Sequence, residues 1–553
     1  MSDRKLPILG LSGYWPPGTP GWTEENKQNL RLLAVIGQLR VASRVVLLAA
    51  FDQTKIYIVP AGQTNAGMLA IYDAGWFFMT PEAGWNITVL DELDIIGNPK
   101  VINWTGTAWV DGPSAGTTAT LSSEASAWGD SRVAQNWNSA ETTILARSWL
   151  WQTEARSQRI RVSSSRYNFG VSGDDIGQLL ARMTGNVANL SGVTPSQVPP
   201  GPAFVLIGTN GVNALTPLTT LMAQLTAVLD WLQARGHMPF VFCDMPRGQG
   251  TTPGVNGLLP LLAQPVMYAY AQAIRDLALT RKGIHVLDVW PQAADPGKAT
   301  AAVRSGILNT DLLHPSPGIA VLAAIKASEA LERAGFKKIV HPISSTNLYS
   351  AANPRGCLNK NPTFAPTSDD ALTAGTASTG ITGVVPGGWT ATMTGGGITG
   401  VGSFEVVTLP DGSKRDAWKL VVSGTAGAAS GSAQVRQSGL YDSAKVAVGD
   451  LLEGQFEYFV LDGHVNFAAA ACNVTTESST TSMNGGAPTT GTNPDQAKAA
   501  MVTVAEYGIS RSPLMTWLAG STALNLECRP YFSLAAATSA TIYFLSGGVR
   551  KKI

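Results

Sequence analysis

The sequence predicts a multidomain protein: a small β-rich N-terminal domain, a central α/β/α domain on a parallel sheet, and a C-terminal β-sandwich of jelly-roll type. Three observations carry this. Residues 55 to 112 break into short aromatic and β-branched runs separated by Gly, Asn and Asp. From about 200 to 335, short apolar runs alternate with helical stretches, the pattern of a sheet covered on both faces. From Ser344 the composition shifts: residues 360 to 440 are rich in Gly, Thr, Ser and Ala, and the ordered pieces of the C-terminal region alternate apolar with polar residues. A chain of 553 residues is too long for one core. The expected domains are 1–115, 116–343 and 344–553.

The first domain opens with an amphipathic helix over 24–43, marked by Leu30, Leu33, Ile36 and Leu39. Six strands follow, at 56–59, 69–72, 76–78, 87–90, 101–104 and 108–110. Ala-Gly-Trp occurs at 74–76 and again at 83–85, and Trp109 follows Gly-Thr-Ala. In so small a barrel or meander these rings are expected mainly as core, since burial must come from large side chains; a sugar-stacking face is the other reading. The runs Ile58-Val59-Pro60, Ala70 to Trp76 and Pro81 to Trp85 resemble a small domain that recurs in phage tail-fibre and gene-transfer-agent proteins, over about residues 25–112. That resemblance implies a virion component attached through this domain to other tail proteins.

Gly112-Pro-Ser-Ala-Gly116 and the Thr/Ser-rich stretch after it read as a linker. In the central domain strands are expected at 204–207, 240–243 and 284–289, and helices at 218–235, 264–279 and 318–334, the last stopped by Gly335. Ligands in such a fold sit at the carboxyl ends of the strands. In the C-terminal domain strands are expected at 403–407, 417–422, 453–460 and 540–545, with Trp418, Leu420 and Val422 sharing one face. Its opening, with Asn347, Asn361-Pro-Thr-Phe364 and Gly387-Gly-Trp389, resembles carbohydrate-binding sandwich modules of tail fibres and polysaccharide-active enzymes. A glycan-binding role and a structural or trimerising one both stay open.

The chemistry centres on Ser131, in Gly129-Asp130-Ser131. A serine hydroxyl is a poor nucleophile until a base with pKa near neutrality takes its proton, which points to histidine. His237, His341 and His464 have no supporting neighbour in sequence, and His285 lies inside an apolar strand. His314 follows Asp311 by three residues and precedes Pro315, so the carboxylate can hold the ring tautomer and stabilise the imidazolium. Asp311 as a plain helix cap is the competing reading. Acyl transfer also needs donors for the oxyanion: the N–H of Ser131, the N–H of Gly173 and the amide of Asn210 are candidates. Arg132 is a candidate contact to an acidic sugar, against the commoner role of a structural ion pair.

Gly129-Asp-Ser131, Asn168-Phe-Gly-Val-Ser-Gly173, Gly208-Thr-Asn210 and Asp311-Leu-Leu-His314 stand in the order of the four blocks of SGNH, or GDSL-type, hydrolases, and residues 118–338 resemble that family. The resemblance implies a flavodoxin-like fold and cofactor-free, metal-free ester hydrolysis, including acetyl esters of sugars. It places Ser131, His314 and Asp311 in a triad, with Ser131, Gly173 and Asn210 as the oxyanion hole. The sequence departs from the pattern twice. Gly211 stands where the third block usually has aspartate, and the approach to Ser131, Leu121-Ser-Ser-Glu-Ala-Ser-Ala-Trp128, is more polar than the usual buried strand.

A net charge of +1 gives no footprint for a phosphate backbone, so nucleic acid is not an expected partner. With 44% hydrophobic and 14% charged residues the chain is not a disordered tail. No apolar run is long enough to span a bilayer, the N-terminus lacks a secretory h-region, and the four scattered cysteines suggest free thiols. A soluble virion protein, trimeric by analogy, that deacetylates a bacterial surface polysaccharide is the expectation. A polysaccharide-binding protein with a degenerate hydrolase fold and a bacterial carbohydrate esterase are the alternatives.

Overall fold

The computed structural model describes residues 4–5, 12–13, 40–45, 55–72, 76–81, 86–93, 99–111, 122–137, 144–145, 147–162, 165–250, 259–294, 303, 308, 313–366, 374–427, 431–476, 483–485, 504–532 and 537–552. The chain divides into two compact units, Met1–Thr120 and Leu121–Ile553.

In the first unit, Arg40–Val41, Asn86–Leu93, Pro99–Trp104 and Trp109–Asp111 form one sheet; Tyr57–Ile58, Leu69–Tyr72 and Trp76–Met79 form a second. Val41, Ile58, Leu69, Ile87, Val89 and Ile102 share a core. Trp104 is buried with its ring 5.2 Å from that of Trp109, whose Nε1 donates to the Gly67 carbonyl at 2.7 Å. These two rings are therefore structural, as expected of core tryptophans. The end of the expected 24–43 helix is corrected: Arg40 and Val41 pair in parallel with Thr88 and Val89, because a buried Val41 supplies a sheet edge better than a helix end. Residues 24–39 of that helix and 82–85 of the Trp85 turn lie outside the described residues.

The second unit starts with a five-stranded, wholly parallel sheet: β1 (Ser126–Gly129), β2 (Asn168–Gly170), β3 (Pro202–Leu206), β4 (Met238–Phe242) and β5 (His285–Leu287), in the order 2-1-3-4-5. Successive residues feed opposite cores. Ala127, Phe204, Leu206, Phe240 and Phe242 pack with helices α2 (Trp149–Ser157) and α7 (Pro317–Arg333). Trp128, Ala203, Val205 and Val241 pack with α3 (Ile176–Thr184), α5 (Leu218–Ala234) and α6 (Gln264–Thr280). Burial on both faces is why β3 and β4 read as unbroken apolar runs. The polar approach to Ser131 resolves into a short strand: β1 is four buried residues, and Ser126 Oγ accepts Trp128 Nε1 at 2.9 Å.

The C-terminal residues form two sheets face to face. One runs Thr376–Ala377, Thr390–Thr394, Gly431–Gln437, Leu524–Phe532, Phe467–Thr476, Met483–Gly485; the other Ile381–Gly383, Ile398–Thr408, Lys414–Thr425, Ala537–Lys552, Leu451–Val460, Glu506–Arg511. Trp418, Leu420 and Val422 are fully buried between them, as their alternation predicts. The signature residues of the domain's opening converge: Trp389 Nε1 donates to the Asn361 carbonyl at 2.9 Å and its ring lies 4.4 Å from Phe364. All four cysteines are buried and free.

The sandwich, expected as a third domain, belongs to the same compact unit as the parallel sheet. Arg511 Nη2 reaches Glu154 Oε1 on α2 at 2.5 Å and the Ile160 carbonyl at 2.9 Å; Arg156 pairs with Glu506 and Arg161 with Glu453. These charges are largely buried, so removing one member would leave its partner buried without its counter-ion. Sequence patterning shows no such link, because each member looks like an ordinary surface charge.

Candidate active site

The carboxyl ends of β1, β2 and β3 carry the three amino-terminal motifs. β1 lies between β2 and β3, so the chain reverses its direction of winding there, and the crevice at such a switch point is where open α/β sheets bind ligands. Ser131 follows β1 and opens the single-turn helix α1 (Ser131–Ala134), capped by the Asp130 carboxylate, which accepts the Arg132 N–H at 2.9 Å. Glycine is required at 129: a Cβ there would sit 2.0 Å from the Leu206 carbonyl oxygen, so only glycine lets β1 approach β3 this closely.

His314, in the turn leading to α7, brings Nε2 to 2.8 Å from Ser131 Oγ. The candidate nucleophile and candidate base, 183 residues apart in sequence, are thus in hydrogen-bond contact, and Ser131 is only 8% exposed. Asp311 lies outside the described residues, so its place beside the imidazole remains the sequence expectation.

Gly173 is exposed after β2 with φ at +89°, a backbone that side chains rarely adopt, and its N–H makes no hydrogen bond to any described residue. Asn210 lies in α4 (Thr209–Asn213), after β3. Its Nδ2 donates to the Asp174 carbonyl at 2.8 Å, while the Asp174 carboxylate is held by Arg182. One proton of the Asn210 amide thus orients the group, and the amide carries a second proton that can be donated elsewhere. This contact also ties the start of α4 to the loop after β2. Position 211 is buried, and a Cβ there would come within 2.7 Å of the buried Leu221 side chain, so glycine at this point reflects close packing of α4 on α5.

The sugar-contact expectation for Arg132 is corrected. Its side chain is 1% exposed and bridges two fully buried carboxylates. Nε and Nη2 donate to Asp130 at 3.0 and 2.6 Å, and Nη1 donates to Asp244, just beyond β4. Burial works against the guanidinium's charge, but Asp130 and Asp244 more than offset it and hold its pKa above the ordinary value. Burial pushes the Asp244 carboxyl up, against the pull of Arg132. Asp244 was missed in sequence; its signal is a lone carboxylate directly after an apolar strand, where a charge needs a partner.

His237 is buried at the opposite end of the sheet, against Trp128, and His285 stacks on Phe240 at 4.8 Å, so neither competes for the role of base. Among the described residues no cluster of His, Cys, Asp or Glu suits a metal ion, and no helix is long and apolar enough to cross a membrane.

No protein-family model and no curated protein matches the chain. Among solved structures it is similar to a protein of the lipolytic G-D-S-L family from Desulfitobacterium hafniense, at 20% identity over 38% of this chain and 99% of that one, with a TM-score of 0.29. It is also similar to the psychrotrophic esterase EstA from Pseudoalteromonas sp., at 16% identity over 38% of this chain and 97% of that one, with a TM-score of 0.26. The acetylxylan esterase Axe2 from Geobacillus stearothermophilus shares 17% identity over 39% of this chain and 96% of its own, with a TM-score of 0.26. At such identities and TM-scores the functional argument rests on the site itself.

Proposed function

We propose that this chain is a serine esterase that removes acyl groups, O-acetyl foremost, from a bacterial surface polysaccharide, as part of a phage tail fibre or tailspike. The observation that carries the chemistry is the 2.8 Å contact between Ser131 Oγ and His314 Nε2 at the switch point of the sheet. His314 takes the Ser131 proton as Oγ attacks the acyl carbonyl, then returns it to the departing sugar oxygen. The N–H groups of Ser131 and Gly173 and the Asn210 amide serve the developing oxyanion. Water, activated by the same imidazole, releases the acid from the acyl-serine. Asp311 is assigned to orient His314.

The virion setting rests on the tail-protein resemblance of residues 25–112. The polysaccharide rests on the family resemblance around Ser131 and on that of the sandwich, which is assigned to glycan binding or to assembly of a trimer. The test is incubation with purified capsules or O-antigens while released acetate is followed by NMR. Native protein is expected to release acetate and Ser131→Ala to release none while keeping its fold; equal release by both refutes the assignment.

A further inference from the structure

Arg132 is held by every polar group it has. Its N–H and two guanidinium nitrogens are on Asp130, its third guanidinium nitrogen is on Asp244, and its carbonyl accepts Trp149 Nε1 from α2 at 3.2 Å. Asp244 is fastened in turn: its Oδ1 also accepts the Met245 N–H at 2.8 Å, and Trp290 Nε1 donates to its carbonyl at 2.5 Å. The residue after the nucleophile therefore ties the end of β1 to the end of β4, across the intervening β3.

Stability does not explain this arrangement. Burying two carboxylates and a guanidinium is costly, and apolar side chains of similar volume serve a core as well or better. Asp244 Oδ2 is buried without a hydrogen-bond partner among the described residues, so the trio is not even fully satisfied. What a rigid planar fork between two fixed carboxylates supplies is a defined distance and angle. α1 needs that from outside, since one helical turn is too short to hold its own shape. Ser131 is the first residue of that turn, and both its N–H and its Oγ take their direction from it.

We propose that Arg132 is a positioning residue for acyl transfer: bridging Asp130 and Asp244, it locks the first turn of α1 to the end of β4 and so aims the Ser131 N–H and Oγ. This rests on the serine-esterase reading. Arg132 touches no substrate; it acts through Ser131.

The experiment uses the full chain in three forms: native, Arg132→Lys, and the neutral triple variant Asp130→Asn/Arg132→Met/Asp244→Leu. Asn keeps the helix cap, and the other two changes replace the ion pair with apolar bulk. Thermal midpoint, kcat and KM on p-nitrophenyl acetate, and the rate at which a fluorophosphonate labels Ser131 are measured for each. The triple variant is expected to melt at or above the native midpoint yet lose about 100-fold in kcat and labelling rate, with KM nearly unchanged. Arg132→Lys, which cannot span both carboxylates, is expected to lose about 10-fold in kcat and labelling rate. A purely structural role predicts instead that activity returns with stability, so a stable triple variant with native kcat and labelling overturns the proposal. Should the triple variant not fold, Arg132→Lys decides: native labelling by a folded Arg132→Lys overturns it, a slowed one upholds it. Failure of the esterase reading is seen separately, as native protein that neither turns over nor labels, and the proposal then falls with it.

Discussion

Acid destabilises this protein through His237 as well as through its carboxylates. The imidazole is 4% exposed, lies edge-on to Trp128 at 6.4 Å, and has no hydrogen-bond partner of good geometry on either ring nitrogen among the described residues. Burial lowers its pKa from 6.5 to about 4; the nearby Gly201 carbonyl opposes this only in part, and Arg235 adds to it. In the unfolded chain the ring titrates near 6.5. Between these values the unfolded state binds more protons, so stability rises with pH and is lost as pH falls from 6.5 towards 4. At about 1.4 kcal/mol per unit, the full loss is about 3 kcal/mol. Above pH 6.5 both states are neutral and the group contributes nothing. His237→Phe removes the titration and keeps an aromatic ring against Trp128. Urea midpoints followed by tryptophan fluorescence at pH 7 and pH 4 are the assay. Native protein is expected to lose about 3 kcal/mol more than the variant over that interval. Equal losses would show that His237 keeps an ordinary pKa in the fold and would refute the argument from burial.

Asn210→Ala removes the proposed oxyanion donor and the contact to the Asp174 carbonyl; kcat on an acetyl ester is expected to fall about 100- to 1000-fold with KM little changed, and unchanged kcat would remove Asn210 from the site. Arg511→Met removes the ion-pair partner of the buried Glu154 carboxylate, leaving it the Val162 N–H and the charge of nearby Arg161; a cost of about 3 kcal/mol is expected in urea unfolding, and a loss under about 1 would show that the link to the sandwich is not stabilised by this pair.

Much of the site is legible in the sequence because its parts are local. A glycine before Asp-Ser, a Gly-Thr-Asn run after an apolar strand and a histidine ahead of Pro315 each have their meaning within a few residues. The strand and helix periods are legible for the same reason, and 202–206 and 238–242 fall where their apolar runs predict, whereas the polar residues before Ser131 hide the short strand 126–129. Arg132 was not legible in the same way. Its neighbours in sequence allow a sugar contact or an ion pair, and only Asp244, 112 residues away, decides between them. The 24–43 helix shows the same limit at its end: Arg40–Val41 has helical periodicity, yet pairing with Thr88–Val89 overrides it.

The sequence by itself determined which residues could do chemistry, because reactivity belongs to side-chain type and to short-range context: a hydroxyl, an imidazole, an amide, and glycines at tight backbone approaches. The tertiary structure alone decided which of them meet. It set Ser131 Oγ 2.8 Å from His314 Nε2, took Arg132 out of the crevice and into the core, and joined the sandwich to the parallel sheet through Glu154, Arg511 and their neighbours. The physical reason is that burial and ion pairing depend on contacts far apart in sequence, so a charge whose partners lie on another strand or another layer reads, along the chain, like any residue of the surface.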